Sequence, residues 1–204
     1  MADSVTKRRK AVEELADIAK SCTNCDLYKD ATQTVFGIGP VTAELVLVGE
    51  QPGDEEDKQG EPFVGPAGKL LRSALDEAGI DPDEVYMTNV VKHFKWKPGA
   101  GWRRLHQKPN RYEIEACRPW LEGEFALLRP RLIVGLGATA CQAMLGSSIR
   151  VLTDRGKTFD WGERQVLVTV HPSSILRSRD EASRQENRRA FVADLRDAVR
   201  IIAR

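Results

Sequence analysis

Hydrophobic positions along the chain alternate between two spacings. Val12, Leu15, Ile18 and Ala19 recur three or four residues apart, which predicts a helix over about residues 7–20. Leu45-Val46-Leu47-Val48-Gly49 is instead a short, wholly apolar run, as expected of a strand buried on both faces of a parallel sheet. Helical spacing returns at Leu70, Leu71, Ala74, Leu75 and Ala78, opened by Pro66 and closed by Gly79. Residues 85–91 read as a second strand. Asn110 and Glu113 form a capping-box pair ahead of a helix whose apolar face holds Ile114, Cys117, Leu121 and Leu128. A third strand is predicted over 131–136, a short helix containing Cys141 after Gly137, and a fourth strand over 165–170. Ser183 and Glu186 cap a last helix with Phe191, Leu195 and Val199 turned inward. Strands alternating with helices predict a three-layer α/β/α sandwich around a four-stranded parallel sheet. Without a repeat or linker, residues 1–204 are expected to form one domain, with residues 1–6 disordered.

Composition changes this picture little. Hydrophobic residues are 41% and charged residues 30%, ordinary values for a globular protein, and the formal net charge is +1. That balance excludes a histone-like binder, so any nucleic-acid contact must come from a local patch. No apolar run reaches 18 residues, and the charged N-terminus lacks the apolar stretch of a signal peptide. A monomeric cytoplasmic protein with no membrane partner is expected, and there four cysteines favour metal binding or burial over disulfides.

Candidate chemistry gathers where the predicted strands end. Glu50-Gln51 follows the first strand, Asn89 lies in the second, and His171-Pro172-Ser173-Ser174 follows the fourth. In parallel sheets these carboxyl ends share one edge, which is where ligands bind. Two nucleotide motifs fail: Gly37-Ile38-Gly39 precedes its strand, and Gly68-Lys69 lacks the rest of a P-loop. Between Val85 and Tyr112 there is no acidic residue but there are seven Lys or Arg. Within that stretch Gly101–Asn110 reads as a loop, punctuated by Gly101 and Pro109. It is either a solvated surface loop or a phosphate contact that holds His106 close to a nucleic-acid backbone. Cys22-x-x-Cys25 is a two-ligand bite, with His93, Cys117 or Cys141 available to complete it. Thiolates suit zinc or an iron–sulfur cluster equally at this point.

With these pieces assembled, the chain resembles the family 4 uracil-DNA glycosylases, and more narrowly their UdgX-like branch. The resemblance spans nearly the whole chain. It rests on Gly49-Glu50-Gln51-Pro52-Gly53-Asp54, Pro62-Phe63-Val64-Gly65-Pro66-Ala67-Gly68, Thr88-Asn89-Val90-Val91-Lys92-His93 and His171-Pro172-Ser173-Ser174. The ordinary family pattern has Cys where this chain has His93, and Ala where it has Gln51. The branch carries a Lys-Arg-Arg-Ile-His loop, which here reads Trp102-Arg103-Arg104-Leu105-His106.

The resemblance implies a 4Fe–4S cluster on Cys22, Cys25, His93 and Cys117. It implies a uracil pocket lined by Gly49, Gln51, Asp54, Phe63, Asn89 and His171, with Glu50, His171 and His106 as the catalytic residues. Arg103, Arg104 and Lys108 would hold DNA phosphates. The implied activity is excision of uracil from single-stranded DNA or from a nucleotide flipped out of a duplex, followed by bonding of His106 to the sugar C1′. A conventional glycosylase that turns over with water and a non-catalytic uracil-DNA binding module are the alternatives.

Overall fold

The computed structural model describes residues 2–203. Its strands are β1 (Leu45–Gly49), β2 (Tyr86–Asn89), β3 (Trp96–Pro98), β4 (Arg104–His106), β5 (Leu132–Leu136), β6 (Thr158–Trp161) and β7 (Arg164–Thr169). The α-helices are α1 (Ala2–Ala19), α2 (Asp54–Gln59), α3 (Pro66–Ala78), α4 (Arg111–Leu128), α5 (Ala138–Leu145), α6 (Val151–Asp154), α7 (Pro172–Leu176) and α8 (Glu181–Ile202). The main sheet runs β2-β1-β5-β7-β6.

Alternation within the apolar strands builds the layers. Val46 and Val48 of β1 join Val12 of α1, Leu121 and Phe125 of α4 and Met144 of α5 on one face. Leu45 and Leu47 join Leu71 and Leu75 of α3 and Phe191 and Leu195 of α8 on the other. Because both faces are covered, a central strand tolerates no polar position, and β1 and β5 are buried throughout. The three-layer α/β/α sandwich is as expected. No helix among the described residues is long and apolar enough to cross a membrane.

Three local expectations are corrected. The sheet has five strands: β1, β2, β5 and β7 are parallel, and β6 is added antiparallel to β7 at the edge. Thr158–Trp161 escaped the pattern because it is short, half-exposed and mixed in polarity. It is joined to β7 by a two-residue turn in which Gly162 has a φ of 60°. Helix α1 begins at Ala2 rather than near Lys7, so residues 2–6 are helical; Met1 lies outside the described residues. Val5 extends the apolar stripe onto the core, and Lys7 pairs with Asp3 one turn back at 2.9 Å. Finally, Gly101–Asn110 is not simply a loop. Arg104–His106 pairs antiparallel with Trp96–Pro98, in the register Trp96 to His106 and Pro98 to Arg104.

Beneath β2 lies a sealed polar knot. Lys92 is 1% exposed and Glu124 is fully buried. The Lys92 ammonium donates to Glu124 Oε2 at 2.6 Å, Thr88 Oγ1 at 2.6 Å and the Asn89 carbonyl at 2.8 Å. Glu124 Oε1 accepts from the Tyr86 hydroxyl and from Gly37 N–H. A Cβ on Gly37 would lie 2.4 Å from that oxygen, which explains a glycine the nucleotide motifs do not. Every donor of the ammonium is used, as burial of an ion pair requires. The knot fixes the end of β2, where Asn89 emerges.

Candidate active site at the strand ends

A cleft of about 910 Å³ opens at the carboxyl ends of the parallel strands. Glu50 enters it from β1, Asn89 from β2, Gly137 and Thr139 from beyond β5, and His171 from beyond β7. His106 reaches the same cleft from the β3–β4 hairpin. A second cavity, about 600 Å³, lies at the opposite end of the sheet beside Leu45 and Val85 and holds none of the expected site residues.

Close glycine contacts and an unusual backbone conformation shape the cleft floor. A Cβ on Gly49 would sit 2.4 Å from Asn89 Oδ1 and 2.9 Å from Phe63 Cζ, so only glycine lets both groups close over the end of β1. Phe63 has a φ of 58°, in the left-handed region a bulky residue rarely adopts. Its backbone lies against Gly68 of α3, where a Cβ would fall 1.8 Å from the Phe63 oxygen. Glu56 braces the neighbouring turns, accepting from Gly53 N–H at 3.1 Å and Gly65 N–H at 2.8 Å. The Phe63 ring stacks near His171, centroids 6.4 Å apart and planes 28° inclined. Asn89 is buried, and no protein group among the described residues bonds its side-chain amide.

His171 is held in one tautomer. Its Nδ1 accepts from Ser173 N–H at 3.2 Å and lies 2.8 Å from Ser173 Oγ. A backbone N–H only donates, so the imidazole proton resides on Nε2. Burial, the nearby Arg177 and His106 together push the His171 pKa down to about 4. The ring is therefore a neutral donor at pH 7.

His106 Nε2 stands 3.5 Å from Glu50 Oε1. The other Glu50 oxygen accepts from the Thr139 hydroxyl, which orients the carboxylate. Burial holds the His106 pKa below its ordinary value against the pull of Glu50, and Arg177 adds to the depression. The result is a neutral imidazole beside a carboxylate. Phe94 packs against the ring at 6.0 Å.

Several expected residues meet other partners. Gln51 borders the cleft, but its amide is committed to the hairpin. Nε2 donates to the carbonyls of Lys95 and Gln107, each at 3.1 Å, and Oε1 accepts from Lys95 N–H. Arg104, expected at a phosphate, binds Asp54 at 2.5 Å and Asp57 at 2.6 Å. Its guanidinium lies 5.3 Å from the Phe94 ring centre and 5.4 Å from that of Trp96. Burial opposes the charge on Asp54, but Lys58 and Arg104 outweigh it and keep the carboxyl below its usual range. Asp54, expected to line the uracil pocket, does border the cleft, with its carboxylate engaged by the hairpin. Arg103 and Lys108 are exposed.

Sequence reasoning missed Thr139, Glu56 and Asp57. Thr139 follows the one strand end that was left without polar chemistry. Glu56 stands three residues after Gly53, the spacing at which a helix-start glutamate reaches back to backbone N–H.

The cysteines separate into two groups. Cys141 is buried against Ile149 and Val168 and donates to the Gly135 carbonyl, a packing role. Cys22 and Cys25 lie close to Cys117, and each of the three sulfurs receives an N–H: from Trp120, from Leu27 and from Lys92 respectively. Burial pushes the Cys117 thiol up to about 12. His93 Nε2 bonds Thr34 Oγ1 at 2.9 Å, and that hydroxyl donates to the Ala19 carbonyl. Among the described residues no three or more His, Cys, Asp or Glu surround a point where one metal ion would sit.

Beyond the carboxyl edge of a doubly covered parallel sheet, one cleft thus brings together an aromatic ring, an open amide, a neutral histidine and a carboxylate. A sequence model described as the Uracil DNA glycosylase superfamily matches residues 36–196, and the chain belongs to that superfamily. It is 38% identical over 193 residues to a type-4 uracil-DNA glycosylase of Thermotoga maritima, covering 94% of each chain. It is 38% identical over 176 residues to a type-4 uracil-DNA glycosylase of Archaeoglobus fulgidus, covering 81% of this chain and 84% of that one. A type-5 uracil-DNA glycosylase of Thermus thermophilus is 33% identical over 126 residues, 54% of this chain and 53% of that one.

Proposed function

We propose that the protein excises uracil from DNA and then becomes bonded to the sugar C1′ through His106, as a member of the UdgX-like branch. The observation that carries the second step is the neutral His106 ring 3.5 Å from Glu50, on a hairpin braced over the cleft. The extruded uracil stacks on Phe63, and the Asn89 amide accepts from N3–H and donates to O4. Cytosine presents the reverse pattern, and each buried group left unpaired costs about 1–3 kcal/mol. Cleavage of the C1′–N1 bond leaves its electron pair on uracil. His171 Nε2–H donates to the charge developing on O2, while Glu50 stabilises the cationic sugar.

One imidazole nitrogen of His106 then bonds C1′. Glu50 takes the proton from the other, leaving a neutral, poorly departing imidazole on the sugar. The commitment of Gln51 to both sides of the hairpin supports the branch assignment, since residue 51 is where the branch departs from family 4. Conventional turnover is favoured by the identity to type-4 relatives. In that reading Glu50, oriented by Thr139, activates water instead.

Denaturing electrophoresis after mixing with a uracil-containing oligonucleotide, alongside a free-uracil assay, separates the readings. An adduct with uracil release supports trapping, release alone supports turnover, and binding without release leaves a non-catalytic module.

We assign a 4Fe–4S cluster to Cys22, Cys25, His93 and Cys117. The N–H donors to three sulfurs suit cluster thiolates. The Thr34 bond also leaves the Nδ1 lone pair of His93 free to bind iron. When bound, the cluster would tie the segment after α1 to α4. Cys117→Ala should lose iron and visible colour while Cys141→Ala keeps both; equal loss would refute the ligand set.

A further inference from the structure

The largest side chain at the tip of the hairpin is fully in water. Trp102 is 103% exposed, two residues before Arg104. A tryptophan on a loose loop would carry no message, since scattered exposed apolar residues are ordinary. This arm is braced. Arg104 is clamped by Asp54 and Asp57 and packed against Phe94 and Trp96, and Gln51 ties the strands at Lys95 and Gln107. The indole projects into water from the turn of a hairpin whose strands are anchored to the body of the protein.

Its surroundings are cationic. Lys97 and Arg103 beside it on the hairpin are exposed and have no carboxylate partner among the described residues, and Lys108 at the foot of the hairpin is likewise exposed and unpaired. A flat π surface among unpaired cations matches a nucleobase carried on a phosphate backbone. Trp102 lies four residues from His106 along β4 and its approach, roughly 13 Å at a strand's rise per residue. That span covers about four stacked nucleotides of one strand.

We propose that Trp102 is a stacking platform for an unpaired base of the DNA strand that carries the uracil, a few nucleotides from it. The hairpin would thereby favour single-stranded DNA, because a base inside a duplex has no free face. The inference rests on the DNA reading above.

The test uses oligonucleotides carrying 2′-fluoro-deoxyuridine, whose glycosidic bond resists cleavage, as single strand and as duplex. Trp102→Ala should weaken single-strand binding roughly 5- to 150-fold, the range of one lost base–aromatic stack. The dependence of affinity on salt should keep its slope, since no phosphate contact is removed. Trp102→Phe should retain most of the affinity, and duplex binding should change little. With 2-aminopurine walked along the strand, one position near the uracil should be quenched by the wild type and not by Trp102→Ala. Unchanged single-strand affinity in Trp102→Ala, or equal losses on single strand and duplex, would overturn the proposal while leaving the glycosylase reading intact. A wild-type protein that neither binds uracil-DNA nor releases uracil would overturn both.

Discussion

The end of β2 and the β3–β4 hairpin are each held by a cation between oxygen acceptors, yet the two braces differ in kind. Lys92 and Glu124 are sealed in the core and bond only to one another and to groups around β2. Arg104 bridges to Asp54 and Asp57 from a hairpin whose outer face is in water. The first brace fixes the backbone of Asn89, the residue proposed to read the base. The second holds the hairpin that carries His106 over the cleft. A sealed pair is shielded from water on every side, whereas the half-open one leaves the outer face of its hairpin free to meet a ligand. The two braces should therefore be separable by mutation.

The largest separation should come from His106→Ser. That variant is expected to lose the denaturation-resistant DNA adduct entirely while still releasing uracil, because the pocket beneath is untouched. An adduct of undiminished yield on the denaturing gel would remove His106 as nucleophile. Next in size, Lys92→Met leaves Glu124 buried without its partner and should cost about 3–5 kcal/mol in denaturant unfolding. Adding Glu124→Gln should recover part of that loss. If the single variant were as stable as wild type, the knot would not be what holds β2.

Arg104→Met should cost less, about 1.5–3 kcal/mol, for charge-assisted bonds made at the edge of the protein. Its distinctive effect should be a fall in adduct yield relative to uracil release, which quantifying both products from one reaction would reveal. Arg104→Lys should not restore the yield, since an ammonium cannot engage two carboxylates in the fork geometry. Proportional loss of both products would mean that the hairpin also shapes the pocket.

The smallest effect is one of pH. His171 has a native pKa of about 4, against about 6.5 for an unperturbed imidazole. Between those values the unfolded chain binds a proton that the native chain does not. Stability should therefore be full above about pH 6.5 and fall as pH drops toward 4. His171→Gln should flatten that part of the stability profile, and an unchanged profile would show that His171 is not held neutral.

The sheet and the strand-end chemistry were legible in the residues themselves. Apolar runs such as 45–49 declare strands covered on both faces, and the polar residues that follow them must then fall at one edge. Asn89 and His171 follow from this rule, whereas Phe63 came from the family motif alone. The β3–β4 hairpin was not legible, because strands of three residues with Pro98 and Arg104 at one end carry no alternation to read. Nor was the fifth strand, whose edge position leaves its pattern half polar.

Local periodicity and the chemistry of single residues by themselves determined the α/β/α order and the edge at which the polar strand-end residues gather. Tertiary structure alone decided what Arg104 and Gln51 do. A guanidinium in a basic stretch suits a phosphate or a carboxylate equally well, and Asp54 is fifty positions away along the chain. Only when α2 and the hairpin meet does the carboxylate stand at 2.5 Å, and there a fixed intramolecular pair forms without the entropy cost of recruiting a partner. The same folding leaves Trp102 facing water, with its surface free.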